Sequence, residues 1–251
     1  MTSPQILFID IETSPVIGYT WGMYEQNVLD VIEPMKIICA GWKWADHSTV
    51  YVKGLPDFPG YKPGIVDDFK LVKQLWKLLD SADLVIAQNG DQFDIKSMNA
   101  RFVAHGLHAP SAYKTVDTRK VAKKYFRFGQ NSLDGMGKFF KLGSKVTHGG
   151  FDTWLKCMAG DEKTWKLMKK YNAQDVVLLE KLYLKLRPFM VNHPNLNIIG
   201  GTHGDNCPTC LSEDLSKRGF AITKRGRYQR FQCNDCGSWS SGPYEKVHTN
   251  A

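Results

Sequence analysis

"LFIDIET", residues 7–13, is the most informative stretch of the sequence. Side chains alternate across a strand, so Asp10 and Glu12 project from one face while Ile9 and Ile11 project from the other. Two carboxylates forced together on an otherwise apolar strand repel each other and lose hydration, which is costly unless a cation neutralises them. A strand end whose acids face water is the simpler interpretation of an isolated Asp-x-Glu, and the other motifs decide between the two.

Composition is that of a basic globular protein. The chain has 251 residues and 43% hydrophobic content, enough for one or two domains with a buried core. A net charge of +8 suits a polyanionic partner such as nucleic acid. No apolar run reaches the length of a membrane span and the start lacks a signal-peptide pattern, so we predict a cytoplasmic protein with no membrane partner.

The apolar pattern predicts a mixed α/β fold over most of the chain. Strand-like runs alternate with amphipathic stretches, and a polar "DHS" between the second and third runs indicates a hairpin. The runs are QILFIDIE, KIICAGWKWA, STVYVKG and DLVIAQN, and helices are predicted over 65–82, 93–106, 131–143 and 161–189. Residues 188–206 are rich in Pro, Gly and Asn, which indicates a linker. We therefore predict a domain over 1–190, a linker over 191–205 and a second domain over 206–251.

Two further motifs place polar side chains where sites are common. An apolar strand runs into Asn89 and then into Asp94 at the start of a helix, and α/β proteins place sites at the carboxyl ends of strands. Tyr171 and Asp175 are four residues apart on the last long helix, so they share one face. Each motif has a structural alternative: Asp94 as a helix cap, and Tyr171 with Asp175 as a structural contact.

In chain order, Asp-x-Glu, Asn-x-x-x-Phe-Asp and Tyr-x-x-x-Asp resemble the motifs of the DEDD superfamily of 3′-to-5′ exonucleases. The resemblance covers about residues 5–190 and implies a ribonuclease-H-like mixed sheet flanked by helices. The subclass with a catalytic His carries it five positions before the last Asp, and Lys170 stands there, which indicates the tyrosine subclass. "NSLDGMGKFF" is similar to stand-alone bacterial and phage members, so the location is host cytoplasm if the protein is phage-encoded.

The resemblance implies two catalytic Mg²⁺ or Mn²⁺ ions. Hard cations prefer carboxylate oxygen, and two ions about 4 Å apart can stabilise both ends of a phosphodiester displacement. By resemblance, Asp10 bridges both ions, Glu12 and Asp175 complete one site, and Asp94 holds the second. Tyr171 then positions the attacking water.

Other residues near these motifs have weaker assignments. Thr13 follows Glu12 and is a candidate for contact with the terminal nucleotide. Asn89 is a candidate for substrate binding, whereas Phe93 is interpreted as a core residue. Asp117 ends another apolar run, and we interpret it as a helix cap rather than a metal ligand.

Four of the six cysteines form two C-x-x-C pairs: Cys207 with Cys210, and Cys233 with Cys236. Two such pairs are typical of a closed tetrahedral zinc site, with a redox pair as the alternative. The sequence therefore predicts a small C-terminal zinc ribbon that depends on one structural Zn²⁺ for its stability. The remaining two cysteines lie in apolar surroundings and are interpreted as core residues of a reducing compartment.

Basic and aromatic side chains alternate between the two cysteine pairs. Basic groups bind phosphates while aromatic rings stack on bases, so the predicted nucleic-acid contacts there are Lys224, Arg225, Arg227 and Arg230. The alternative is a solvated hairpin whose aromatic rings pack on the cysteine pairs, or a surface that docks a protein.

The sequence thus predicts a metal-dependent 3′-to-5′ exonuclease acting on DNA, at single-stranded or frayed 3′ ends. A 3′-to-5′ exoribonuclease or a structure-specific endonuclease uses the same residues. A zinc-ribbon adaptor with an idle nuclease fold is the alternative from another class. It has no physical need for a cluster of mutually repelling acids.

Overall fold

The computed structural model describes residues 3–24, 27–147, 149–201, 206–224 and 226–245. In these residues the strands are β1 (Ile6–Thr13), β2 (Ile17–Tyr19), β3 (Asp30–Glu33), β4 (Ile37–Trp44), β5 (Tyr51–Gly54), β6 (Leu84–Ala87), β7 (Lys114–Asp117), β8 (Leu215–Thr223), β9 (Gly226–Cys233) and β10 (Trp239–Glu245). The α-helices are α1 (Phe69–Asp80), α2 (Asp94–Ala104), α3 (Thr118–Tyr125), α4 (Leu133–Phe139), α5 (Phe151–Met158), α6 (Glu162–Leu186) and α7 (Leu196–Ile199), with short 3₁₀ helices at Leu55–Asp57 and Arg187–Phe189.

A five-stranded mixed sheet of order β5-β4-β1-β6-β7 forms the centre of the larger unit. β1, β4 and β5 pair antiparallel, whereas β1, β6 and β7 pair parallel. The predicted hairpin between β4 and β5 is present, and the predicted mixed sheet flanked by helices is confirmed. β1 is the central strand of this sheet.

Residue alternation on β1 determines which helix covers the acids. Leu7, Ile9 and Ile11 are buried in one cluster with residues of α1 and α2. Phe8 projects from the opposite face, and its ring meets that of Tyr183 on α6 edge to face at 5.5 Å. Asp10 and Glu12 share the face of Phe8 because strand side chains have a period of two. The acids are therefore turned toward α6.

The four predicted helices are present, and their ends follow ordinary capping rules. The hydroxyl of Ser132 accepts a hydrogen bond from the backbone N–H of Gly135 and so caps α4, while Asp161 caps α6 in the same way through Thr164. Gly106 closes α2 with φ of +67°, a conformation in which glycine has no steric penalty. α5 and the β2–β3 hairpin were not predicted.

The segment predicted as a linker contains a short helix, α7. Leu196 is buried in the apolar cluster that contains Phe8 and residues of α6, and its backbone N–H donates to Pro208 O at 2.8 Å. His193 accepts a hydrogen bond from the hydroxyl of Tyr183 at 2.7 Å. Residues 202–205 of this segment lie outside the described part of the chain. The domain boundaries stay predictions.

β8, β9 and β10 form a separate three-stranded sheet of order β10-β9-β8. Its buried cluster consists of cysteines with Leu215 packed against them. Within the described residues, no helix combines the length and apolar character that crossing a membrane requires.

Candidate functional site

Three of the predicted acids lie close together where α6 packs against β1. One carboxylate oxygen each from Asp10, Glu12 and Asp175 lies within 4.8 Å of the others. β1 supplies the first two and α6 supplies Asp175, which is only 1% exposed. We call Asp10, Glu12, Asp175 and Asp94 the acid cluster, because Asp94 lies against the same strand as the first two.

Asp94 is attached to β1 by its backbone contact. It begins α2, is 3% exposed, and accepts a hydrogen bond from the backbone N–H of Ile11 at 3.1 Å. Asp94 therefore lies beside the strand that carries Asp10 and Glu12, although it is not one of the three acids whose oxygens lie within 4.8 Å. The interpretation of Asp94 as only a helix cap does not account for this contact.

The close approach of α6 to β1 depends on Gly41. Gly41 pairs with Asp10 across the sheet, and a Cβ atom at Gly41 would lie 2.5 Å from the Oδ1 atom of Asn172. Asn172 is fully buried and donates through Nδ2 to the carboxylate of Asp10 at 2.6 Å. This amide fixes the orientation of the Asp10 carboxylate. Sequence analysis missed both Gly41 and Asn172.

Lys145 is a further site residue that sequence analysis missed. Its ammonium group donates to the hydroxyl of Tyr171 at 2.8 Å and forms an ion pair with Asp175. The loop that carries it follows α4, and its backbone N–H donates to Asp134 at 3.1 Å. No spacing rule connects a loop lysine to two residues 26 and 30 positions later.

The pKa values of the acids are raised. Burial, followed by the charge of Asp175, raises the pKa of Glu12 to about 8. Burial also raises the pKa of Asp94 to about 7, and it raises that of Asp10 well above its usual range together with repulsion from Asp94, Glu12 and Asp175. Burial and the nearby Asp175 raise the pKa of the Tyr171 phenol, which is therefore protonated at neutral pH.

These residues fit divalent cations. Among the described residues, Lys145 forms an ion pair with Asp175, and the raised pKa values of Asp10 and Glu12 mean that their negative charges are not fully compensated. Oxygen ligands of this kind suit hard ions such as Mg²⁺ and Mn²⁺. The acid cluster can therefore hold a divalent cation in addition to the positive charge of Lys145.

This electrostatic balance predicts how stability without added Mg²⁺ or Mn²⁺ depends on pH. Glu12 binds its proton more tightly in the folded state than in the unfolded state. The resulting gain in the free energy of unfolding is fully present below the unfolded pKa and is lost as the pH rises through about 8. The melting temperature should therefore fall between pH 5.5 and 8.5, and the Glu12→Gln variant should show a fall smaller by about 3 °C.

Scanning calorimetry without a chelator checks this result, because a chelator would also strip the cysteine site. Adding Mn²⁺ at pH 8.5 should restore more stability to the wild type than to Glu12→Gln. The same dependence on pH in both proteins would contradict the proposed repulsion.

Thr13 and Asn89, the two substrate contacts predicted near the carboxyl ends of strands, have different surroundings. Thr13 lines an open pocket of about 400 Å³ next to the acid strand, with Phe151 and Trp154 of α5 on its other side. Asn89 has φ of +64°, and its side chain accepts a hydrogen bond from Arg119 at 3.0 Å. The interpretation of Phe93 as a core residue was wrong, because it ends a turn at the surface and is 41% exposed.

Asp117 is the helix cap that the sequence predicts. Its carboxylate accepts hydrogen bonds from the backbone N–H groups of Arg119 and Lys120, and also from that of Asn89. Through these bonds Asp117 holds the end of β6 against the start of α3.

The four predicted cysteine ligands form a second candidate metal site. Their sulfur atoms lie within 4.8 Å of one another, with 3.7 Å between Cys207 and Cys236 and 3.6 Å between Cys210 and Cys233. None of these four cysteines forms a disulfide. The arrangement is compatible with a zinc ribbon, and the β8–β9 hairpin lies between the two pairs.

Three of the four predicted basic contacts lie on this hairpin. Lys224 is exposed at its turn, the guanidinium of Arg227 lies 4.1 Å from the centre of the Phe220 ring, and that of Arg230 lies 5.5 Å from the Trp239 ring. Arg225 lies outside the described residues. The interleaved rings partly pack on the arginines.

Comparisons with known proteins agree with this architecture. The model of the RNase H superfamily matches residues 45–187, more than half of the chain, and this match includes Asp94, Tyr171 and Asp175 but begins after β1. A search of curated proteins found no match. A solved structure of the family B DNA polymerase from the hyperthermophilic archaeon Pyrobaculum calidifontis is similar, with a TM-score of 0.56 and 16% identity. The similarity covers 75% of this chain and 25% of that one, and it shows the fold alone.

Proposed function

The chain belongs to the RNase H superfamily, a fold of metal-dependent nucleases, and we propose that it is a 3′-to-5′ exonuclease of the DEDD tyrosine subclass that acts on DNA. The single observation that carries this proposal is the acid cluster itself. Four acids from β1, α2 and α6 converge at one place, and Tyr171 lies one helical turn before Asp175. The order of these residues along the chain matches the motifs of that subclass.

The acid cluster would hold the two Mg²⁺ or Mn²⁺ ions. Asp10, Glu12 and Asp175 would hold one ion, and Asp94, which lies beside the same strand, would hold the second together with Asp10. Bound ions of this kind neutralise the phosphate oxygens and lower the pKa of a bound water. Asn172 keeps the Asp10 carboxylate in place, and the backbone of Ile11 does the same for Asp94. The protein thus pre-orients its ligands before substrate binds.

Tyr171 and Lys145 act on the attacking water. The phenol of Tyr171 stays protonated, because burial and Asp175 raise its pKa, so its hydroxyl can position a water by hydrogen bonding. Lys145 donates to the same hydroxyl and so restricts its orientation. Its ammonium group also brings a positive charge to the side of the cluster where negative charge develops on the phosphate.

Two further features suit a nuclease that acts at the end of a nucleic-acid strand. The pocket beside Thr13 can receive a nucleoside next to the acids, which suits removal of a terminal residue. The exposed Lys224, Arg227 and Arg230 on the ribbon can bind phosphates of the same strand. The cysteine site would hold Zn²⁺ as a structural ion, since four thiolates in two C-x-x-C pairs favour closed tetrahedral coordination.

The test of this function is the polarity of degradation. Oligonucleotides of DNA and RNA, single- and double-stranded, carry the label at either the 5′ or the 3′ end and are incubated with Mg²⁺. A 3′-to-5′ exonuclease shortens 5′-labelled DNA to a ladder and releases labelled mononucleotide at once from 3′-labelled DNA. Internal cleavage of the 5′-labelled and 3′-labelled oligonucleotides, or release of nucleotides from the 5′ end, would overturn the proposal. Faster degradation of RNA than of DNA would show that RNA is the preferred substrate.

Tyr171→Phe should reduce turnover about 10²-fold with little effect on substrate binding, because only the hydroxyl that positions the water is lost. The ring remains in place against Trp154, so the fold should be unchanged. Single-turnover rates and affinities of wild type and variant check this. Tyr61→Phe is the matched control, since its hydroxyl accepts from Trp165 away from the acids. An unchanged rate in Tyr171→Phe would make this tyrosine structural.

A further inference from the structure

Five phenylalanine rings form a cluster at the surface, outside the acid cluster. We call Phe126, Phe128, Phe139, Phe140 and Phe189 the phenylalanine cluster. Phe126 and Phe128 are stacked at 5.0 Å, and Phe139 and Phe189 extend the cluster on either side at 5.1 Å. Phe139 is 64% exposed and Phe189 is 58% exposed. The other three rings are partly buried against the core and connect these two. Exposed aromatic side chains supported in this way are typical of an interaction surface.

The charge around these rings is strongly positive. Residues 119–145 contain eight basic side chains and one acid, Asp134, which already pairs with Lys138. The exposed basic residues that flank the rings in sequence are Lys123, Lys124, Arg127, Lys138 and Lys141. A surface with this composition complements a polyanion.

The phenylalanine cluster is connected with both candidate sites. Phe139 ends α4, and at the start of that helix Asp134 accepts a hydrogen bond from the backbone of Lys145, whose side chain contacts Tyr171. At the other side, Phe189 lines a groove of about 430 Å³ together with Trp239 and Arg230 of the ribbon. A nucleic-acid strand bound over the rings would therefore contact α4, which adjoins the loop of Lys145, and the groove beside the ribbon.

We propose that the phenylalanine cluster binds single-stranded nucleic acid, with unpaired bases stacked on the exposed rings and phosphates bound by the flanking basic residues. Stacking on aromatic side chains needs bases that are not already paired in a helix, so this surface selects single strands over duplex. The inference rests on the proposed function in that the bound strand is the one whose end reaches the acid cluster.

The test is equilibrium binding to the full-length Asp10→Asn protein, which blocks hydrolysis. Fluorescence anisotropy compares a single strand of about 20 nucleotides with a blunt duplex of the same length. Adding Phe139→Ala and Phe189→Ala should each weaken single-strand binding about tenfold. Duplex affinity should change less than about twofold, because it depends on the basic residues alone.

Two replacements at position 139 separate stacking from packing. Phe139→Trp should keep single-strand affinity, whereas Phe139→Leu, which retains apolar bulk but no flat ring, should lose most of it. Val103→Ala is the matched control, because Val103 is 77% exposed on α2 and should leave binding unchanged. Thermal unfolding confirms that each variant is folded.

Unchanged single-strand affinity in the Phe139→Ala, Phe189→Ala double variant would overturn the proposal and leave a protein-docking surface in its place. Equal losses for single strand and duplex, or wild-type binding by Phe139→Leu, would also overturn it. Hydrolysis is measured separately with the wild type. A protein that cleaves no nucleic acid but loses single-strand binding in these variants would refute the proposed exonuclease function alone.

Discussion

Asp10→Asn should reduce nucleic-acid hydrolysis by at least ~10³-fold. Asp10 lies at the centre of the acid cluster and would be a ligand of both ions. Bound metal supplies several kcal/mol of charge stabilisation in phosphoryl transfer, and each ~1.4 kcal/mol changes the rate tenfold. The new amide keeps the shape of the side chain and can still accept the hydrogen bond from Asn172. Single-turnover cleavage of labelled DNA at saturating Mg²⁺ measures the loss.

The same variant should be more stable than the wild type without added Mg²⁺ or Mn²⁺. Replacing Asp10 by a neutral amide removes its repulsion with the three neighbouring acids, which contributes to its raised pKa. Asp46→Asn is the control, because that acid is 64% exposed just after β4 and should leave both properties unchanged. Wild-type hydrolysis by folded Asp10→Asn would remove Asp10 from the mechanism.

Cys233→Ser should abolish zinc binding and unfold the three-stranded sheet of the ribbon. Among the described residues, the buried cluster of that sheet consists of cysteines with Leu215 packed against them, so we expect apolar burial alone not to support it. Structural zinc sites contribute about 10–16 kcal/mol in small peptides of this type. Metal analysis should give about one zinc ion per chain in the wild type and none in the variant.

NMR spectra or limited proteolysis should show loss of structure over β8–β10 with the five-stranded sheet retained. Asp235→Asn, an exposed change between Cys233 and Cys236, is the matched control and should keep its zinc. Hydrolysis of a dinucleotide should persist in Cys233→Ser while affinity for long strands falls. A ribbon that stays folded without zinc would show that the four thiols are not a structural metal site.

Local sequence rules placed the members of the acid cluster in pairs, and the resemblance to the DEDD motifs brought those pairs into one predicted site. Strand alternation placed Asp10 and Glu12 on one face, and helical spacing placed Tyr171 with Asp175. For Asp94 the sequence indicated only a position after a strand, and the structure shows that the parallel pairing of β1 with β6 brings that strand end beside β1. The two pairs depend on short-range geometry, which sequence patterns report well, whereas the meeting of all four acids depends on this long-range strand pairing.

The parts that sequence analysis missed depend on tertiary contacts. Lys145 reaches Tyr171 from a loop, and Gly41 matters only because α6 crosses β4 at that point. Asn172 is adjacent to Tyr171 in sequence, yet its role requires knowledge of which side of α6 faces Asp10. The phenylalanine cluster likewise brings together rings from α4, the segment after α3 and the 3₁₀ helix after α6.

The measurement that tests the central claim most directly is the stoichiometry of Mn²⁺ bound by the acid cluster. Electron paramagnetic resonance of zinc-loaded protein, titrated with Mn²⁺ in the presence of a nucleoside 5′-monophosphate, counts the bound ions. The wild type should bind about two Mn²⁺ ions per chain, and Asp10→Asn should bind fewer than one with measurable affinity. Equal stoichiometry and affinity in the two proteins would contradict the assignment of the acid cluster as the catalytic metal site.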